Sequence, residues 1–216
     1  MNDIKNRRPL DSRNSNWAAK ITQILAARDI TPNQISQASI GAALIAGAAF
    51  WMTSLTDHPV LVAVLLVLAA LGCQARLLCN LFDGMVAIEE GKSAADGPFW
   101  NEFPDRIADI IIFAGLGLGI GSPALGFAAA AMAVLTAYVR ELGASIGLAP
   151  NFCGPMAKQH RMALITVAAV LTIFEPLALP QGTILTSVLW VVIIGAIVTT
   201  LRRARDIRER LIAGRK

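Results

Sequence analysis

Six apolar runs, each close to the roughly 20 residues a helix needs to cross a hydrocarbon core, dominate this sequence at 37–55, 59–82, 105–121, 124–144, 161–178 and 183–201. The breaks between them carry turn and end signals: "TDHP" at 56–59, "GKSAADGP" at 91–98, "GSP" at 121–123, "APNFCGP" at 149–155 and "LPQG" at 179–182. Only 16% of residues are charged, against about 25% in an ordinary soluble domain, and mean hydropathy is +0.58. The expectation is an all-α, polytopic integral membrane protein with one helical domain at 37–201. A juxtamembrane segment at 1–36 precedes it and a basic tail at 202–216 follows.

The basic residues fix the expected orientation. Six of the 19 lie before the first run and seven after the last. Arg76, Lys92 and Arg106 surround the second break, and Arg140, Lys158 and Arg161 surround the fourth. The breaks at 56–58, 122–123 and 179–182 have none. Under the positive-inside rule this pattern predicts six spans with both termini cytoplasmic. The net charge of +4 then belongs to a membrane-facing surface, with no need for a nucleic-acid partner. The first 36 residues contain no apolar core with a small-residue cleavage site, so no signal peptide is expected. The three cysteines have neither metal spacing nor an even count and read as reduced.

Ahead of the first run, Trp17, Ile21, Ile24 and Leu25 recur at helical spacing, with Lys20 and Arg28 on other faces. That pattern predicts a short amphipathic helix in the headgroup region, whereas residues 1–14 read as a frayed polar tail. Thr31 is then the expected N-cap of the opening span, with Pro32 at its first position.

Between the second and third runs the chain concentrates acid: Asp83, Glu89, Glu90, Asp96, Glu102, Asp105 and Asp109. Arg76, Asn80, Asp83 and Ala87 are spaced four, three and four, so they share one helix face. Asn101, Asp105 and Asp109 share another. Two antiparallel neighbours would bring these stripes together at one depth. Each acid or Arg within a span costs about 2.5–3.5 kcal/mol to insert, so a compensating charge is required. An all-oxygen donor set points to a hard divalent cation, Mg²⁺ or Mn²⁺. Glu89, Glu90 and Asp96 read as solvated loop charges. Arg140, Lys158 and Arg161 cluster at the same level and suit a phosphorylated ligand. The glycines at 115, 117, 119 and 121 permit close packing, either inside the bundle or at a homodimer face.

The pattern Asn80-x2-Asp83-Gly84-x2-Ala87, followed by Asp105-x3-Asp109, resembles the signature of the CDP-alcohol phosphotransferases, D-x2-D-G-x2-A-R then G-x3-D-x3-D. "ITPNQIS" before the first run and the basic residues after the fourth extend the likeness across most of the chain. The family's first Asp is Asn80 here, its Arg is Ile88, its second Gly is Asn101, and the gap is longer. The resemblance implies transfer of a phosphatidyl group from a CDP-linked lipid, CDP-diacylglycerol, to a small alcohol or polyol phosphate, with release of CMP. It implies that Asn80, Asp83, Asp105 and Asp109 bind metal, and that Asp109 is the general base. Gly84 and Ala87 would admit the nucleotide, and Arg140, Lys158 and Arg161 would meet the acceptor. The three carboxylates hold a pair of cations or a single one. A homodimer in the bacterial inner membrane, its site facing the cytoplasm, is the implied assembly. A transporter lined by the same charges, or a catalytically silent membrane scaffold, is the alternative from the residues alone.

Overall fold

The computed structural model describes residues 15–92 and 94–213, and within them it is built from seven α-helices joined by turns and short 3-10 segments. They are α1 (Asn16–Ala27), α2 (Pro32–Met52), α3 (Pro59–Glu89), α4 (Gly97–Gly119), α5 (Pro123–Ser145), α6 (Lys158–Thr172) and α7 (Thr183–Ala213). The polar tail expected at 1–14 lies outside the described residues, as do Ser93 and residues 214–216.

Among the described residues, four helical stretches are long and apolar enough to cross a membrane: Pro32–Leu55, Pro59–Glu89, Pro123–Ser145 and Thr183–Ala213. They make the chain an integral membrane protein. Helix α4 falls short in composition because Glu102, Asp105, Arg106 and Asp109 crowd its first half. Helix α6 falls short in length: it is 15 residues long and stops at Thr172, where a loose turn and a 3-10 segment (Glu175–Leu177) take over. The expected run at 161–178 is therefore a shorter helix that starts three residues earlier. Residues 202–213, expected as a separate tail, simply continue α7.

Six helices close into a ring. Helix α2 packs against α3 and α4, α4 against α5, α5 against α7, α7 against α6, and α6 against α3. The direct neighbours expected of the acid stripes, α3 and α4, thus touch only sparingly, because α2 lies against both. Small residues make that wedge possible. A Cβ on Gly115 of α4 would sit 2.1 Å from the carbonyl oxygen of Gly47 on α2, so backbones meet where side chains usually intervene. Gly117 meets α5 in the same way, its Cβ position 2.6 Å from Gly126 Cα. Gly119 likewise approaches the Phe50 carbonyl, whereas a Cβ on Gly121 would meet nothing within 4 Å.

The caps follow the sequence. Thr31 accepts from Gln34 N at 3.2 Å while Gln34 Oε1 accepts from Thr31 N at 2.9 Å, a reciprocal capping box with Pro32 at the first position. Helix α1 lies along the end of α3, burying Ala18 and Thr22 against Phe82 and Met85. Trp17, Ile21 and Ile24 stay exposed on its outer side, as an interfacial helix requires.

Candidate active site

The C-terminal half of α3, the first half of α4 and the start of α6 all lie at one end of the ring, and their charged side chains turn inward. Arg76 of α3 is completely buried. Its Nη2 donates to Asp109 Oδ1 at 2.8 Å, to Asp105 Oδ1 at 3.3 Å and to the Asp105 carbonyl at 3.2 Å. From α6, Arg161 donates to Asp109 Oδ2 at 2.7 Å and to the Met156 carbonyl at 3.0 Å. Asp109, also fully buried, therefore has a guanidinium on each oxygen. Lys158, at the first position of α6, pairs with Asp105 Oδ2 and donates to Asn80 Oδ1 at 3.2 Å. Arg106 reaches Asp105 Oδ2 at 3.4 Å. Buried ions survive only when paired in this way.

Asp83 is held differently. Ser36 of α2 donates to its Oδ2 at 2.8 Å, while its Oδ1 is buried with no hydrogen-bond partner. Asn80, one turn earlier on the same face, donates through Nδ2 to the Arg76 carbonyl at 2.9 Å. Gly84 and Ala87 lie half-exposed farther along α3. Arg140 of α5 stands farther out, paired with Glu102 and with Glu141 at 2.8 Å, and 5.5 Å from the Phe152 ring centre. Glu102 links it through Arg106, 3.8 Å away, to Asp105.

The segment 146–157 sets where α6 begins. Gly154 has φ +131°, and a Cβ there would lie 2.3 Å from Thr199 Cγ2 on α7. Two residues on, Met156 N donates to Thr199 Oγ1 at 3.0 Å. That docking fixes the entry to α6 and hence the reach of Lys158 and Arg161. At the rim, Asp96 precedes α4 and accepts from Asn33 at 3.0 Å and Trp100 at 2.9 Å. These hydrogen bonds, the Asn33 one foremost, hold its carboxyl below the usual Asp range.

The donor set suits a hard divalent cation through its oxygens and through the open Asp83 Oδ1. Among the described residues no three His, Cys, Asp or Glu side chains already converge as a metal cluster. Between the acids stand cations instead.

No family model matches the sequence. Over 138 residues the chain is 29% identical to a phosphatidylinositol phosphate synthase of Streptomyces avermitilis, covering 60% of this chain and 57% of that protein. The synthase of Mycolicibacterium smegmatis is 27% identical over 139 residues, 61% of each chain. The chain thus spans about three-fifths of the length of the curated relatives it matches. A crystal structure of the Mycobacterium tuberculosis synthase with CDP-DAG bound superposes with a TM-score of 0.73 at 18% identity, covering 89% of this chain and 94% of that one. The chain has the phosphatidylinositol phosphate synthase fold. The same enzyme in complex with manganese and citrate superposes with a TM-score of 0.72, again at 18% identity and with 88% of each chain covered.

Within this synthase fold the sequence-derived residues separate into two groups. Asn80, Asp105, Asp109, Lys158 and Arg161 form one hydrogen-bonded cluster with Arg76, and Asp83 lies beside Asn80 on α3. Arg140 joins it only through Glu102 and Arg106. Arg76 was legible as part of a stripe, and its central place could have been inferred from the need of any buried Arg for a carboxylate partner. Ser36 carries no such signal, since a serine in an apolar helix satisfies itself equally well on its own backbone.

Proposed function

We propose that this chain transfers a phosphatidyl group from CDP-diacylglycerol to the hydroxyl of a small phosphorylated alcohol, releasing CMP. One observation carries the reading: motif-spaced Asp83, Asp105 and Asp109 gather with Lys158 and Arg161 inside one end of a bundle with the synthase fold. The curated relatives are named phosphatidylinositol phosphate synthases and the solved neighbour holds CDP-DAG. Both support a CDP-lipid donor, and among acceptors they favour an inositol phosphate.

Each residue then has a task. Asn80, Asp83, Asp105 and Asp109 are the candidate ligands of a divalent cation, Mg²⁺ or Mn²⁺, whose charge would screen the donor pyrophosphate and favour loss of CMP. Gly84 and Ala87 leave room on α3 for the nucleotide. Arg140, Lys158 and Arg161 receive the acceptor's phosphate. The acceptor oxygen attacks the phosphatidyl phosphorus, and a new P–O bond forms as the pyrophosphate P–O bond breaks. The electron pair of the broken bond leaves on CMP. The hydroxyl proton passes to Asp109, the candidate general base, whose Oδ2 accepts from Arg161.

The same proposal places all six ring helices across the bacterial inner membrane, both termini in the cytoplasm. The closed ring supports this, since α4 and α6 each lie between membrane-length neighbours. A homodimer completes it. The test is purified protein with CDP-diacylglycerol, Mg²⁺ or Mn²⁺ and a panel of phosphorylated and plain alcohols, read by CMP release. Release dependent on one acceptor is expected. No CMP with any acceptor would overturn the reading, and solute movement across vesicles without CMP would favour a transporter.

A further inference from the structure

The site is already neutral without an added ion. Asp83, Asp105 and Asp109 carry three negative charges, and Arg76, Lys158 and Arg161 carry three positive ones among them. Arg106 and Arg140 are offset at the rim by Glu102 and Glu141. One divalent ion on this neutral set matches the two negative charges of the donor's pyrophosphate diester, and two ions exceed them until a phosphorylated acceptor binds. With donor alone, charge favours one ion.

The positions of the side chains say where the other charge comes from. The Lys158 ammonium has three donors and no acceptor. One of them goes to Asn80 Oδ1 and another to Asp105 Oδ2, so it bridges α3 and α4 from α6 as a small cation would. Asn80 is suited to that arrangement in a way Asp is not. Its Nδ2 donates to the Arg76 carbonyl, which turns Oδ1 toward Lys158; a carboxylate has no proton to give that carbonyl. Meanwhile Asp83, 4% exposed, keeps Oδ1 buried and unpartnered.

We propose that Lys158 takes the place of one ion of a divalent pair, with Asn80 as its seat, so that of the two occupancies open to these carboxylates the site takes a single divalent ion, on Asp83. The inference rests on the phosphatidyl-transfer reading above and refines it. Asn80 becomes the anchor of the lysine, and the third ammonium proton remains for the acceptor. Replacing Lys158 by a neutral side chain and Asn80 by Asp should together restore a second ion position.

The experiment counts bound Mn²⁺ on the purified full chain by loss of the free-ion electron paramagnetic resonance signal, without donor or acceptor. One ion per chain with an isolated-ion spectrum is expected for the wild type, and none at the same concentration for Asp83→Ala. The Asn80→Asp/Lys158→Met double variant should bind two, with the broadened spectrum of a coupled pair. Two ions on the wild type would overturn the inference even if the double variant failed to fold. So would a folded double variant that still binds one, or an Asp83→Ala protein that keeps its ion. CMP release tells the two readings apart. A single-ion protein that releases no CMP leaves the ion count standing and removes the reaction, and a two-ion protein that releases CMP does the reverse.

Discussion

At the scale of single residues, Arg76 organises the site. One guanidinium serves Asp105 and Asp109 together, and it is fully buried. Removing it leaves buried Asp109 with Arg161 alone and Asp105 with Lys158 and Arg106. Breaking a buried pair from one side costs about 3–5 kcal/mol, so Arg76→Met should lower the thermal unfolding midpoint in detergent markedly. A midpoint within error of the wild type would mean that Arg161 and Lys158 suffice. Asp83→Ala should behave oppositely. It removes one hydrogen bond from Ser36 and an unpartnered oxygen, so the fold should persist while CMP release is lost. Retained activity at saturating Mg²⁺ would remove Asp83 from the site. The residues of the motif were legible because their spacing of three and four fixes a common face. Their partners were less so. A buried Arg announces that it needs acid, but not which acid among seven.

At the scale of elements, the chain is a set of helices apolar nearly all round, and that limits what periodicity can reveal. An amphipathic helix declares its inner face; a membrane helix does not. Starts were therefore readable, as with Thr31 and Pro32, while neighbours were not. The insertion of α2 beside both α3 and α4 depends on backbone approach at Gly47 and Gly115. Gly115→Ala should force those helices apart and destabilise by about 1–3 kcal/mol, the usual cost of overpacking, and activity should fall with it because Asp105 and Asp109 ride on α4. Unchanged unfolding would show that the helices can slide. At the opposite end from the site, Glu175 is buried and accepts from Gly182 N at 2.6 Å and Ile184 N at 2.5 Å. Its carboxylate satisfies amides at the start of α7, a capping role that a lone acid beside "PLALPQG" did not disclose. Arg203 was likewise read only as a tail charge, yet it is buried and donates to the carbonyls of Cys153 at 2.9 Å and Thr136 at 2.8 Å. It ties α7 to α5 and to the approach to α6. Long-range carbonyl partners leave no trace in sequence spacing.

At the scale of the whole molecule, the proposed orientation puts every basic residue and the site on the cytoplasmic side. In a background with Cys73, Cys79 and Cys153 replaced, Ala94→Cys should resist a membrane-impermeant thiol reagent in intact cells, and Asp57→Cys should react. Labelling at position 94 from outside would invert the orientation and the function with it. The exposed apolar residues of α1 belong to this scale too, because in that orientation Trp17, Ile21 and Ile24 would register the site end of the ring at the headgroup level.

The shortness of α6 has a consequence for the surrounding lipid. Fifteen residues rise only about 22 Å at 1.5 Å each, well under the roughly 30 Å of an average hydrocarbon core. In the proposed six-span arrangement its longer partners α3 and α7 cannot shrink to match, so the bilayer would thin where it meets α6, and mismatch costs fractions of a kcal/mol per ångström. Such a dimple would lie on the flank where Lys158 and Arg161 enter the ring, and it would lower lipid headgroups toward the acids. Reconstitution into bilayers of graded acyl length should therefore show activity falling as the membrane thickens, even with donor in excess. A flat dependence on thickness would mean that the neighbouring helices shield α6 from lipid.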